Sequence, residues 1–181
     1  RINEIYQNGN NLEKKVASVF LEGILYYSNF FTPLWYRGNN KLANLSEVIK
    51  LVIRDESVHG TYLGYKFQQA FAELTPQTRF RAWMDDLLAD LLENEFAFTE
   101  VVYAPIQMVE DVKQFVRYNA NKAMNNMGFA AIFNHAAIED INPIVMNGIS
   151  TETANHDFFS QVGAGYLMGN AEAMSDEDYD F

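Results

Sequence analysis

Three side chains stand out for the chemistry they could do together. Glu22 is the only charged residue between Val16 and Pro33, and Val19, Phe20, Leu21, Ile24, Leu25 and Tyr26 place apolar bulk on every side of it. A helix that is apolar all round is a buried one, and a buried carboxylate is costly unless it is paired, protonated or bound to a metal. Glu56 and His59 stand at the centre of a second pattern, in which Ile49, Val52, Glu56, His59 and Leu63 recur at spacings of three and four. That period marks the core-facing stripe of a helix, and an i, i+3 pair sets a carboxylate and an imidazole on one face. Read one at a time, these residues allow plainer roles. Glu22 could be a core acid paired with an arginine, and Glu56–His59 a surface pair or a core histidine held by a carboxylate.

Read together they fit a metal site. Carboxylate-bridged dimetal centres in four-helix bundles take one Glu from each of two helices and one Glu-x-x-His from each of the other two. This sequence offers one of each, which is half a site, and carboxylate with imidazole suits manganese or iron. It contains no second E-x-x-H. The remaining histidines, His135 and His156, fall where helical periodicity is lost, and are read as structural or solvated.

The elements that must position these residues are helical nearly throughout, with no alternating strand pattern. A first helix is predicted from about Asn11 to Phe31, with Pro33 as its stop. A second opens at Asn44, with Glu47 three residues on in a capping-box arrangement, and continues to about Ala72. A third starts at Thr75-Pro76, a capping residue followed by proline at the first helical position, and runs to about Ala104 with a possible break near Phe96. A fourth runs from Gln107 to Met127 and ends at Gly128, a natural C-cap. From Phe129 to Asp157 loops or short turns are expected. Residues 1–160 are thus read as a helical half-bundle, and residues 161–181 as a tail expected to be disordered on its own.

Composition narrows the function classes. A net charge of −11 argues against a nucleic-acid surface. The absence of cysteine excludes disulfides and thiol nucleophiles and, with no visible secretion signal, favours the cytoplasm. No apolar run reaches the roughly 18 uncharged residues of a membrane span. The first residue is Arg1 rather than Met, so an upstream portion is expected.

At these residues a family resemblance emerges. VASVFLEGILYYSNFF and KLANLSEVIKLVIRDESVHGTYLGYKFQ resemble the radical-generating small (beta) subunit of class Ib ribonucleotide reductase. So do VRYNANKAMNNMGF, NPIVMNGISTETANHDFFS and the ending GYLMGNAEAMSDEDYDF, in order and across essentially the whole chain. The RDE-x-x-H block together with the aromatic, acidic terminus makes the resemblance specific.

The resemblance implies an all-α, ferritin-like bundle of which this is the C-terminal half. It implies that Glu22, Glu56 and His59 are three of six ligands to a dinuclear manganese or iron centre. Asp55 matches an acid that hydrogen-bonds a ligand histidine of the other half and helps relay the radical. Tyr166 matches the tail tyrosine that passes the radical between subunits; Tyr179 and Phe181, two aromatics among acids in residues 170–181, are read as the anchors that dock the tail on the large catalytic (alpha) subunit. The radical-storing tyrosine and the other ligands belong to the missing N-terminal half, so Tyr26, Tyr27, Tyr62 and Tyr65 are read as packing residues. The family reduces ribonucleotides to deoxyribonucleotides, its small subunit is a homodimer, and a flavodoxin-like activator assists the manganese form. The alternatives are a ferritin-like metal-storage protein, or a non-catalytic piece of a split small subunit.

Overall fold

The computed structural model describes residues 1–134 and 141–149, and among them every regular element is helical. In chain order these are α1 (Ile2–Asn8), α2 (Asn11–Phe20), a π-helical turn (Leu21–Leu25), α3 (Tyr27–Gly38), α4 (Ala43–Glu73), α5 (Gln77–Tyr103), a 3-10 turn (Ala104–Ile106), α6 (Val109–Asn126) and α7 (Pro143–Ile149).

The run α2–π turn–α3 is the spine of the core. It begins with a capping box at Asn10, whose Oδ1 accepts from the backbone N–H of Leu12 at 2.9 Å and of Glu13 at 3.0 Å. Glu13 Oε2 returns the contact by accepting from the Asn10 N–H at 2.8 Å. Three backbone donors at the start of the helix are satisfied this way. The predicted stop at Pro33 is corrected, because Pro33 lies inside α3. An internal proline costs about 3 kcal/mol. Phe30, Phe31 and Leu34 on either side are all buried, and each contributes roughly 1.5–3 kcal/mol of burial, so packing outweighs the lost hydrogen bond. The Pro33 carbonyl also accepts from the Ser46 hydroxyl at 3.1 Å, which ties α3 to the start of α4.

α4 matches the predicted second helix, but its predicted capping box is absent. Leu42 is the N-cap, in the left-handed region at φ 49°, and its side chain makes no cap. Glu47 instead forms an ion pair with Arg37 of α3. In α5, Pro76 occupies the N-cap rather than the first helical position, and the helix runs unbroken through Phe96. α6 starts later than predicted because Gln107, at φ 59°, ends the 3-10 turn. It stops where predicted, with Gly128 at φ +81°.

The stretch expected to be irregular contains α7, which packs along α3. Gly38 and Gly148 make the crossing possible, since a Cβ on either would overlap the backbone of Ile144 or Leu34. α6 pins the segment before α7 through Asn121. Its Oδ1 accepts from the N–H of Ile132 (3.0 Å) and Phe133 (2.9 Å), and its Nδ2 donates to the Phe133 carbonyl (3.0 Å). Phe115 of α6 meets Tyr27 and Phe31 edge-on, with ring centroids 5.7 and 6.0 Å apart, at the centre of the core. No helix among the described residues is long and apolar enough to cross a membrane.

Candidate metal centre

The structure brings Glu22, Glu56 and His59 together. Glu22 rides on the π-helical turn, and Glu56 and His59 lie on neighbouring α4. His59 Nδ1 is 3.6 Å from Glu56 Oε2 and 3.9 Å from Glu22 Oε2. One potential ligand atom from each residue lies within 4.8 Å of the other two. A π-turn shifts the register of side chains beyond it, and such turns recur at functional sites. Nothing in the sequence signals this one.

The trio is less enclosed than the sequence pattern suggested. Side-chain exposure is 20 % for Glu22, 17 % for Glu56 and 43 % for His59. Ile49 and Val52 of the stripe are likewise half-buried, while Leu63 is buried. The face carrying the site therefore borders the core rather than lying inside it.

Glu22 Oε2 is nonetheless buried and accepts no hydrogen bond among the described residues. Burial, with Glu56 as a second negative neighbour, pushes the Glu22 carboxyl up to about 7, against a smaller opposing pull from His59. Two carboxylates and an imidazole converging without a cation are an electrostatically unfavourable set. A divalent ion would relieve it, and the donor set fits manganese or iron. The phenols nearby respond to the same charge: burial first, then Glu56, raises Tyr27 to about 12.

The other sequence-nominated residues divide. Asp55 lies on the exposed side of α4, next to Glu56 in sequence but not part of the trio. Tyr166, Tyr179 and Phe181 fall outside the described residues, as do His135 and His156. Tyr26, Tyr27 and Tyr62 pack on or in the core, as read. Tyr65 does not: it is 57 % exposed, and its phenol oxygen accepts from Gln69 Nε2 at 2.9 Å. Its position in α4 turns it off the apolar stripe.

One polar residue escaped the sequence reading altogether. Glu95 of α5 is 6 % exposed, and its Oε1 is buried with no hydrogen-bond partner among the described residues. Burial raises its carboxyl above the ordinary value, offset in part by the Ser28 hydroxyl. In the acid-containing stretch LENEFAF no feature of spacing separates it from its solvated neighbours.

An all-helical half-bundle with a Glu, Glu-x-x-His trio on one face defines a ferritin-like dimetal carboxylate protein as its class. Within that class, the chain belongs to the ribonucleotide reductase small chain family, whose model matches residues 1–143. It is 48% identical over 168 residues to the ribonucleoside-diphosphate reductase subunit beta of Bacillus phage SPbeta, covering 92% of this chain and 50% of that protein. It is 41% identical over 183 residues to the ribonucleoside-diphosphate reductase 2 subunit beta of Escherichia coli, covering 99% and 57%. Among solved structures, the dimanganese(II)-NrdF of Streptococcus sanguinis shares 62% identity with a TM-score of 0.79, over 82% of this chain and 53% of that one. The chain thus spans about half the length of the relatives it matches.

Proposed function

We propose that this chain is the C-terminal half of a class Ib ribonucleoside-diphosphate reductase small subunit, and that Glu22, Glu56 and His59 hold one side of its dinuclear centre. The convergence of these three side chains, with Glu22 Oε2 buried and without a hydrogen-bond partner among the described residues, carries the reading. Manganese is favoured by the dimanganese relative at 62% identity, although the same donors accept iron. When bound, the metal pair supplies the oxidising chemistry by which the family makes a tyrosyl radical for the reduction of ribonucleotides.

The residues of this chain have separable tasks in that reading. Glu56 and His59, fixed one turn apart on α4, set the spacing of a carboxylate and a nitrogen donor. Glu22 would add a second carboxylate donor to the metal pair. Asp55 orients a ligand histidine carried by the N-terminal half. Tyr166 passes the oxidising equivalent to the large catalytic subunit, on which Tyr179 and Phe181 dock. The complete protein is a cytoplasmic homodimer that works with the large subunit and a flavodoxin-like activator.

Metal analysis of the complete small subunit tests the centre. A pair of manganese or iron ions per subunit is expected, with occupancy and the tyrosyl radical signal both lost in Glu56→Ala and in His59→Ala. Full occupancy in Glu56→Ala would remove the ligand assignment.

A further inference from the structure

The α3–α4 corner carries charge of the opposite sign to the chain as a whole. From Arg37 to Arg54 there are four bases, Arg37, Lys41, Lys50 and Arg54, and one acid, Glu47, in a chain whose net charge is −11. Glu47, Lys50 and Arg54 recur at intervals of three and four along α4, so they share one flank of that helix. Arg37 of α3 meets the flank through its ion pair with Glu47. Lys50 registers the crowding of like charge. Its ammonium is held below the ordinary lysine value by burial first and by Arg37 next, with Glu47 opposing. Lys41 and Arg54 stand exposed at the two ends of this ridge. The ridge is turned away from the metal trio. At 3.6 residues per turn, Arg54 lies roughly 160° around α4 from Glu56 and about 100° from Asp55, the next acid.

The position of α7 says which anion reaches the ridge. α7 packs along α3, with Gly38 close against Ile144 and Gly148 close against Leu34. Ile149, the last described residue, therefore follows directly on a contact with the helix that carries Arg37, one turn beyond Leu34. Further along the sequence, residues 174–181 hold Asp176, Glu177, Asp178 and Asp180 with no base among them. Roughly 27 residues separate Ile149 from Asp176, and a freely coiling chain of that length spans about 30 Å. From Glu47 to Arg54 along α4 is only about 10 Å. Tethering holds the acids near the ridge at an effective concentration in the millimolar range. At that concentration, ion pairs that are individually weak at a surface add up to a populated contact.

We propose that the basic ridge of the α3–α4 corner is a docking surface for the acidic segment 174–181 of the same chain, which lies across Lys41, Lys50 and Arg54 and must leave them to engage the large subunit. Only the competition with the large subunit rests on the functional reading above. The contact masks the segment. When part of the population holds it on the ridge, the remainder alone is competent to bind, and the apparent affinity for the large subunit falls by that fraction. Discharging the ridge should therefore tighten the binding.

Carbodiimide coupling on the complete small subunit, without its large subunit, tests the contact. The reagent joins a carboxylate to a lysine amine only where the two touch, and mass spectrometry of the digested product locates the link. Isotopically light and heavy subunits are mixed so that links within a subunit are told from links between copies. At low salt the expected product joins Lys41 or Lys50 to Asp176, Glu177, Asp178 or Asp180 of the same subunit. Its yield should fall at least fivefold at about 0.5 M salt, where exposed charges are screened beyond a few ångströms, and at least twofold in Arg54→Gln. No such link, a link only between copies, a link from these lysines to a peptide preceding Arg1 instead, or equal coupling of the acids to lysines elsewhere in the chain overturns the docking surface. Titration of the large subunit then tests the masking. Lys41→Gln combined with Arg54→Gln should lower the Kd two- to fivefold, and an unchanged or higher Kd overturns the competition. If the link forms and the large subunit does not bind at all, the docking surface stands and the functional reading fails.

Discussion

His59 Nδ1 stands 3.9 Å from Oε2 of Glu22, although the two residues belong to different helices joined through the whole of α3 and half of α4. Two local features lie along the path between them. The π-helical turn at Leu21–Leu25 carries Glu22, and the Ser46 hydroxyl clamps the start of α4 to the Pro33 carbonyl. The site is therefore a property of the α3–α4 corner as much as of its three side chains.

The first prediction concerns pH in the metal-free state. Glu22 has a folded value raised from 4.5 to about 7, so its contribution to stability is fully present below about 4.5 and is lost as pH rises through about 7. Metal-free complete protein should lose stability across that window, by about 2 kcal/mol once partial exposure is discounted. Glu22→Gln should flatten that part of the curve and be the more stable form at pH 8. Denaturant unfolding at a series of pH values checks this, and a wild-type curve parallel to that of Glu22→Gln would contradict it.

The second prediction tests the core. Phe115 is fully buried and packs edge-on against both Tyr27 and Phe31. Phe115→Ala should cost about 3–5 kcal/mol, measured by urea unfolding of the complete protein. Because Tyr27 and Phe31 belong to the helix that continues from Glu22, metal affinity should weaken as well. Phe115→Leu should cost distinctly less, since most of the volume is retained.

Much of this was legible in the sequence, for identifiable reasons. The Glu56–His59 spacing survives because α4 is regular, so period alone places both on one face. Glu22 was marked by being the lone charge in an apolar stretch. The π-turn beneath it left no clear mark, because four of its five residues are ordinary helix formers and the fifth, Gly23, is a single glycine of a kind helices tolerate at modest cost; in the fold it sits against Ala123 of α6. Pro33 misled because local propensity favours a stop there, while burial of Phe31 and Leu34 decides otherwise. Tyr65 and Glu95 show the same limit from opposite sides. Neither residue type tells which flank of a long helix will be covered, and that depends on neighbours distant in sequence.

The third prediction concerns Asn121, whose side chain makes three hydrogen bonds to the backbone of Ile132 and Phe133. Asn121→Ala should leave those groups unmatched at a cost of about 1–3 kcal/mol. Asn121→Asp should be intermediate, since it keeps the acceptor for both N–H groups but loses the donor to the Phe133 carbonyl. Hydrogen exchange should accelerate in residues 129–134 of both variants and remain unchanged in α4. Uniform acceleration would mean that Asn121 supports the fold globally rather than holding this segment.

The last prediction separates two tasks proposed for the C-terminal residues, a relay at Tyr166 and docking at Tyr179 and Phe181. Tyr179 and Phe181 are large aromatics among acids at the chain's end, the kind of side chains that anchor a segment in a partner's groove. Tyr166 lies upstream of them, between glycines, and its proposed task needs only a phenol that can give up a proton and an electron. The two changes should therefore fail differently in the complete protein. Deleting residues 174–181 should abolish binding to the large subunit while the metal pair and its radical signal stay intact. Tyr166→Phe should leave that binding within about twofold, less than the roughly 1.4 kcal/mol that a tenfold change represents, yet stop turnover, because a phenyl ring has no ionisable hydroxyl. Titration of the large subunit, with nucleotide reduction measured on the same samples, distinguishes the cases. If the truncated protein still bound, docking would have to be reassigned away from Tyr179 and Phe181; if Tyr166→Phe still turned over, the relay would have to pass through another residue.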